Sequence, residues 1–259
     1  MQKNWILFLK TIGNFLLSIS LLVVVWEIVF FFSDASTYLF PPPRYVGRAL
    51  VELLTTGEMF VHVAVSLRRF FVAYVTSCAL GILLGVLFGW FKFAWTLAEP
   101  IILLLKPISP VAWTPFVVLM FGLGDAPAIF TIGIAGFFGM LLATVNAINS
   151  VNTSYINVAR NFGLTRFQTL HKIVLPASFP YIAQGLHSAL TTSWIFLVAG
   201  ELLGVTTGLG FFISDARHAL RSDLILAGII VIGCLGFMLD KLLHYLEILV
   251  AKKWGLRIN

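Results

Sequence analysis

Charged side chains are scarce in this sequence of 259 residues. They make up 11% of the chain, whereas apolar residues make up 59%. A soluble globular chain carries about 25% charged residues, so this one has too few to surround a core of its size with a polar shell. At about 20 residues for each membrane span, six spans account for most of the apolar residues. The composition excludes a soluble enzyme and predicts an all-α polytopic membrane protein.

The sequence has only two cysteines, and it has no phosphate-binding loop and no run of basic residues. Cys78 and Cys234 both lie in apolar stretches without metal-ligand spacing, and such thiols act as small apolar side chains. Because no G-x-x-x-x-G-K-S/T loop is present, the energy for any transport must come from another chain or from an ion gradient. The net charge is +6, but the basic residues are scattered, so no nucleic-acid partner is expected.

Six apolar stretches are long enough to cross a membrane. A lipid bilayer is therefore an expected partner of this chain. They lie at about residues 12–32, 70–90, 98–121, 129–148, 181–203 and 224–250. The third contains Pro107, Pro110 and Pro115, and it must pack in protein or line a cavity, since each proline removes a backbone hydrogen bond. We divide the chain into residues 1–60, with one span and an external amphipathic segment at Arg44–Leu54, and a core of residues 61–259.

The distribution of basic residues predicts the orientation. If both termini are cytoplasmic, 11 of the 17 lysines and arginines lie on the internal side together with three acidic residues. The external side then holds six basic and seven acidic residues. An excess of Lys and Arg marks cytoplasmic loops, so we expect both termini inside and an external, slightly acidic face.

The segment of residues 149–180 is polar, is expected in the cytoplasm and contains no acidic residue. Tyr155–Phe162 has helical character, and Gly163 follows where a helix end needs positive φ. Thr165 and Gln168 have the spacing of a capping box, which predicts a second short helix from Thr165. Its expected apolar face consists of Leu164, Phe167, Leu170 and Val174, and Leu175–Pro176 is expected to end it. Such a loop either docks onto a partner or is a connector packed on its own spans.

The loop resembles a motif of ABC-importer permeases, which reads E-A-A, three residues, Gly, nine residues and I-x-L-P. Gly163 and Ile173–Pro176 match at this spacing, whereas Asn157–Ala159 retains only the alanine. Four further stretches are similar to the nitrate, sulfonate, taurine and bicarbonate branch, and most of all to taurine and aliphatic sulfonate permeases. These are Lys106–Pro115, Phe121–Asp125, Glu201–Gly210 and Leu220–Asp223.

The resemblance implies a type I ABC importer permease in the bacterial plasma (inner) membrane, not itself an enzyme. Two copies, as a homodimer, would surround a path for a small anionic solute, which a periplasmic or lipid-anchored binding protein delivers. A cytoplasmic ATPase dimer would hold ATP and Mg²⁺, so this chain needs no cofactor and no metal. The residues implied in coupling to the ATPase are Asn157, Ala159, Arg160, Gly163, Leu164, Phe167 and Leu170.

Two further sets of residues are candidates for the transport path. The first would line it, and comprises Trp113, Thr114, Ser188, Thr191, Thr192 and Trp194. The alternative is that the hydroxyls bond to their own helix and that the tryptophans pack. The second set is an outer gate or binding-protein contact, and comprises Glu201, Gly208 and Gly210. Ordinary solvation at the membrane interface is the alternative for Glu201.

Two other function classes remain as alternatives. An ion-coupled carrier or channel should show inverted repeats and intramembrane charge pairs, and no repeat is evident. A membrane enzyme should show clustered catalytic groups, whereas the histidines are far apart in the sequence. They are His62, His171, His187, His218 and His244.

Overall fold

A computed structural model describes residues 2–32, 39–202 and 204–253. The structure is 87% helical and has no strand in this described part, as the composition predicts. Residues 33–38 of the first polar segment and the tail residue Arg257 lie outside the described residues, so the predictions for them stay untested. All peptide bonds in the described part of the chain are trans.

The helices are named here in chain order. They are α1 Gln2–Phe32, α2 Pro43–Thr56, α3 Glu58–Trp90, α4 Lys92–Leu105, α5 Thr114–Phe121, α6 Asp125–Asn149, α7 Thr153–Asn161, α8 Arg166–Thr169, α9 Leu175–Glu201, α10 Leu209–His218 and α11 Ser222–Lys253. A 3-10 turn at Pro110–Trp113 precedes α5, and a π-helical turn at Leu170–Val174 joins α8 to α9. The predicted amphipathic helix at Arg44–Leu54 is confirmed as α2.

Four helices are long and apolar enough to cross a membrane, namely α3, α6, the continuous run Arg166–Glu201, and α11. A fifth span is possible if α4 and the run Pro110–Phe121, bent by 88°, count as one. The first predicted span lies on α1. Within the described residues, the apolar part of this helix is Leu17–Phe32, which is shorter than the 18 residues required of a membrane span. Both ends of the third predicted span are thus helical. Of its three prolines, Pro107 lies in the break, Pro110 begins the 3-10 turn, and Pro115 lies in the first turn of α5.

The second predicted span begins earlier than expected. Helix α3 starts at Glu58 rather than Phe70. The predicted span of residues 70–90 lies entirely within α3. It did not include the first turns of this helix because they carry polar side chains, which a hydropathy pattern assigns to a loop. Within the fold, His62, Ser66 and Arg69 are buried and bind protein groups, so a helix can carry them.

The chain forms two compact units. One contains residues up to Phe60 together with Phe212–Val231, and the other contains Val61–Phe211 together with the residues from Ile232 onward. The core of the second unit is built on Phe70, Ile132, Met140 and Leu197, which are fully buried.

Helices in the second unit approach closely where glycines face them. A Cβ on Gly85 of α3 would lie 2.5 Å from the Cβ of Thr144 in α6. A Cβ on Gly136 would collide with the Ser193 hydroxyl of α9. Small residues at such points let helix backbones pack tightly in lipid, and α6 packs against α9 along much of its length.

Candidate functional site

The first half of the 149–180 loop is a capped helix ended by a glycine turn. The Asn152 side chain accepts a hydrogen bond from the Ser154 N–H at 2.9 Å and so caps α7. At the other end Gly163 has φ +75°, and the Leu164 N–H donates to the Ala159 carbonyl at 3.1 Å. The predicted helix and its left-handed glycine are confirmed.

The capping box at the start of the second helix is confirmed as well. The Gln168 N–H donates to the Thr165 hydroxyl at 3.3 Å, and the Thr165 N–H donates to the Gln168 side-chain oxygen at 2.9 Å. The prediction that this helix ends at Leu175–Pro176 was wrong. Pro176 lacks an N–H, but it lies in the first turn of α9, and the π-helical turn before it shifts the hydrogen-bond ladder so that the helix continues. Residues 166–201 therefore form one continuous helical rod.

The predicted apolar face of this loop divides into two parts. Phe167 is 76% exposed, whereas Leu164 and Leu170 are half-buried and Val174 is fully buried. Leu164 lines a small cavity together with Trp90 and residues of the loop itself. The alternative that the loop packs on its own protein is thus correct for Leu164, Leu170 and Val174, and it is wrong for Phe167.

Three exposed apolar residues were missed by the sequence analysis. Phe162 is 79% exposed, Tyr155 60% and Val158 51%. Their spacing of i, i+3 and i+7 places them on one face of α7, which is the signal that could have identified them. Together with Phe167 they are called the exposed apolar face below. Of the other predicted coupling residues, Asn157 and Arg160 are exposed and Ala159 is buried.

Glu201, a predicted gate residue, lies in a buried polar network at the end of α9. Its carboxylate is completely buried and accepts hydrogen bonds from Arg69 Nη1 at 2.8 Å and from the Gly210 N–H at 2.9 Å. The Ser66 hydroxyl lies 2.8 Å from each of its oxygens and accepts from the Leu209 N–H. Solvation at the membrane interface, the alternative for Glu201, is therefore wrong.

Arg69 joins this network to the start of α6. Its Nε lies 2.8 Å from Asp125 Oδ1, and its Nη1 also donates to the Thr207 carbonyl. Arg68 forms a second ion pair with Asp125. Both arginines are among the six basic residues expected on the external side. No local sequence pattern links them to Asp125 and Glu201, which are distant in the sequence.

The two gate glycines are in contact with the network. The Gly208 N–H donates to His62 Nδ1 at 3.1 Å. Gly208 has φ +122°, and a Cβ there would lie 2.5 Å from Glu201 Oε1. A Cβ on Gly210 would lie 2.7 Å from the Glu201 Cβ. Glycine is thus required at both positions, because the Glu201 carboxylate occupies the space beside Gly208, and the Glu201 Cβ and the Val198 carbonyl oxygen occupy the space beside Gly210.

The predicted path residues Ser188, Thr191 and Thr192 of α9 differ in their hydrogen bonds and surroundings. Thr191 donates to the His187 carbonyl at 3.0 Å and Thr192 to the Ser188 carbonyl at 2.8 Å, so the self-bonding alternative is confirmed for both. Ser188 is exposed and lines a cavity of about 380 Å³. The polar side chains around that cavity are Asn146, Ser150, Tyr181, Gln184 and Ser188.

The remaining path candidates pack inside the protein. Trp194 contacts Phe70 edge to face at 5.1 Å and donates from Nε1 to the Ile232 carbonyl at 3.2 Å. Thr114 is buried, with its hydroxyl 3.2 Å from that of Thr131. Trp113 is half-buried, and no ring contact joins it to Trp194 in the described part of the chain. The packing alternative is therefore confirmed for Trp194.

Comparison with known proteins identifies the relatives of the chain. A family profile described as "Binding-protein-dependent transport system inner membrane component" matches residues 77–252. The taurine transport system permease protein TauC of Escherichia coli is 32% identical over 235 residues, which cover 89% of this chain and 86% of that protein. The nitrate import permease protein NrtB of Synechocystis sp. is 31% identical, with 90% and 87% covered.

The fold also matches a solved structure, an inward-facing conformation of the MetNI methionine ABC transporter. The TM-score is 0.56 at 18% identity, and the match covers 70% of this chain and 92% of that one. This likeness concerns the fold alone, and it confirms the predicted architecture of an ABC importer permease.

Proposed function

The chain belongs to the family of inner membrane components of binding-protein-dependent transport systems, and from this premise we propose that it imports a small anionic solute. It is a multi-pass permease subunit of an ABC transporter and not an enzyme, with the ATPase in a separate subunit. A binding protein delivers the solute. Beyond the family, we propose three things: the class of solute, a second copy of the chain in the transport path, and the residues that couple the chain to its ATPase.

The exposed apolar face is the observation that carries the coupling proposal. It places Tyr155, Val158, Phe162 and Phe167 on a loop that the charge distribution assigns to the cytoplasm. Exposed apolar area costs about 25 cal/mol per Å² in water, so such a face is stabilised when a partner covers it. The loop has no acidic residue, and its exposed Arg160, Arg166 and Lys172 favour an acidic rim on the ATPase groove.

The loop is also built to transmit motion. The turn at Gly163 and the capping box at Thr165 hold α7 and α8 in a fixed relation, and α8 runs without a break into α9. Movement of a docked loop would therefore displace α9 as a rigid body, which is how such transitions usually proceed. Ser188 lies on this rod and Glu201 ends it.

The relatives and the cavity beside Ser188 support an anionic solute. Two of the relatives are named for taurine and for nitrate. Nitrate is a small anion, and taurine carries an anionic sulfonate group. The cavity contains hydroxyl and amide donors and no acidic side chain, so it offers hydrogen bonds without repelling a negative charge. In this proposal a second copy of the chain completes the path. An ion-coupled carrier is the alternative, and it would need no ATPase.

A matched pair of glycine substitutions tests the coupling role. Gly163 has φ +75° and Gly57 has φ +78°, and neither has an atom within 4 Å of an added Cβ. Because a β-branched residue resists positive φ, Gly163→Val and Gly57→Val should strain the backbone about equally. We expect only Gly163→Val to lose the ATPase during purification of the detergent-solubilised importer. Equal retention, or equal loss, in the two variants would overturn the coupling role.

A charge substitution and an uptake assay complete the test. Phe167→Asp should also release the ATPase, whereas Phe60→Asp, at a residue that is 60% exposed on the expected external side, should not. Uptake of labelled taurine, a longer alkanesulfonate and nitrate is measured with wild type and Phe167→Asp. If the wild type takes up none of the three solutes while Phe167→Asp still loses the ATPase, the solute class is refuted and the coupling role stands. Uptake that continues unchanged after the ATPase is lost would refute the ATP-driven importer in favour of the carrier.

A further inference from the structure

Two histidines and two carboxylates from α9 and α11 meet inside the second unit. His187 Nε2 lies 2.7 Å from Glu247 Oε2, and His187 Nδ1 lies 3.2 Å from Asp240 Oδ1. His244 Nδ1 lies 4.0 Å from the same Glu247 oxygen. The expectation that the histidines are scattered is therefore wrong for His187 and His244, whose ring centroids are 6.2 Å apart.

No lysine or arginine pairs with the carboxylates of this cluster. Among the residues with described side chains, the only ion-pair partners of Asp240 and Glu247 are His187 and His244. The nearby Lys241 points its ammonium over the ring of Phe237 at 5.4 Å. The Glu247 side chain is only 7% exposed, and its Oε1 has no hydrogen-bond partner in the described part. Buried charges of this kind are normally paired or coordinate a metal.

The donor atoms are close enough to share one ion. Those of His187, His244 and Glu247 all lie within 4.8 Å of one another. Bonds of about 2.0–2.2 Å to a tetrahedral ion place ligand atoms roughly 3.3 Å apart, which lies between the 2.7 Å and 4.0 Å separations observed. His244 and Glu247 are three residues apart on one helix, so they project from the same face.

The contact of His187 with Asp240 is a separate indication of a metal site. A histidine that binds a metal through one ring nitrogen usually donates its other N–H to a carboxylate, which sets the tautomer and the ring orientation. Here the Asp240 carboxylate lies on the Nδ1 side of His187. With the proton held at Nδ1, the Nε2 lone pair is available to an ion that Glu247 also binds.

We propose that His187, His244 and Glu247 bind a divalent cation of the Zn²⁺ class, with Asp240 orienting His187. Two imidazoles and one carboxylate suit Zn²⁺ and Co²⁺, whereas Mg²⁺ and Ca²⁺ prefer oxygen ligands alone. Three protein ligands leave a fourth position for water. The ion joins α9 to α11 within the second unit and stabilises it in proportion to occupancy. The site does not depend on the transported solute.

Metal binding to the full-length, untagged chain in lipid nanodiscs tests the proposal. Zn²⁺ and Co²⁺ are titrated separately, and bound metal per chain and melting temperature are measured. The wild type should bind one ion per chain, show the visible absorption of low-symmetry Co²⁺ and melt at higher temperature with Zn²⁺. Mg²⁺ and Ca²⁺ should have no such effect.

Three variants distinguish this site from general histidine binding. His244→Ala, at an exposed ligand, should fold normally and lose the bound ion and the Zn²⁺-dependent shift. Asp240→Asn should weaken Zn²⁺ binding by about 10–100-fold. His218→Ala, at an exposed histidine on α10, is the matched control and should bind as wild type does. No binding by the wild type, or equal binding by wild type and His244→Ala, would overturn the proposal.

Discussion

Replacing Glu201 with glutamine tests how strongly the buried network holds the second unit together. The glutamine keeps the size of the side chain but removes the charge that faces Arg69 Nη1 at 2.8 Å, in a site where Glu201 has no exposed surface. Breaking a buried ion pair by removing one partner costs about 3–5 kcal/mol. Asp125 remains bound to the same guanidinium, so we expect the lower end, about 3 kcal/mol.

This cost should be visible as a lower melting temperature. For a chain of this size, 1 kcal/mol corresponds to roughly 2–4 °C, so Glu201→Gln should melt roughly 6–12 °C below wild type. The assay is thermal unfolding of purified protein in nanodiscs, followed by tryptophan fluorescence. Arg69→Met combined with Glu201→Gln should cost less than the sum of the single changes, because the two groups interact directly.

An exposed ion pair provides the matched control. Arg221 and Asp223 lie 2.8 Å apart, but their side chains are 44% and 21% exposed. Pairs in such positions contribute about 0–1 kcal/mol, so Asp223→Asn should change the melting temperature little. If Glu201→Gln is no less stable than Asp223→Asn, the network does not stabilise the unit and the reasoning is refuted.

Two further predictions concern glycine packing and backbone strain. Gly85→Leu should prevent stable folding, since its Cβ already collides with α6. A Cβ at Gly139 meets no atom within 4 Å, so Gly139→Leu should fold, and comparable yields of monodisperse protein from the two variants would contradict this. Leu220 has φ 54° and is 79% exposed. Left-handed backbone costs a non-glycine residue about 1–2 kcal/mol, so Leu220→Gly should raise the melting temperature by a few degrees, and a decrease would show that the leucine makes a stabilising contact.

The structure of the 149–180 loop could be predicted from sequence because it depends on near neighbours. The capping box joins Thr165 to Gln168, three residues away, and the left-handed turn needs only Gly163 itself. The error at Leu175–Pro176 has a physical cause. Proline ends a helix when it removes an internal hydrogen bond, but here it lies at the first turn of α9, after a π-helical turn that no composition rule anticipates.

The buried network could not be predicted in the same way. Arg69 and Glu201 are 132 residues apart in sequence, and each one alone is typical of a charge at a membrane interface. Solvation was one alternative for Glu201 because this residue lies at the end of an apolar stretch. Only packing of α3 against the end of α9 brings the two charges together and excludes water from them.

The sequence by itself determined that the chain is a helical membrane protein, and that its 149–180 loop has no acidic residue, a left-handed glycine turn and a capping box. Composition, apolar run length and capping act over a few residues or over the whole chain, so they can be read without coordinates. The tertiary structure alone decided which face of the loop is exposed, that Trp194 packs inward, and that His187 meets His244 and Glu247. These outcomes depend on the rotation and depth at which separate helices pack, and side-chain contacts between distant segments set both.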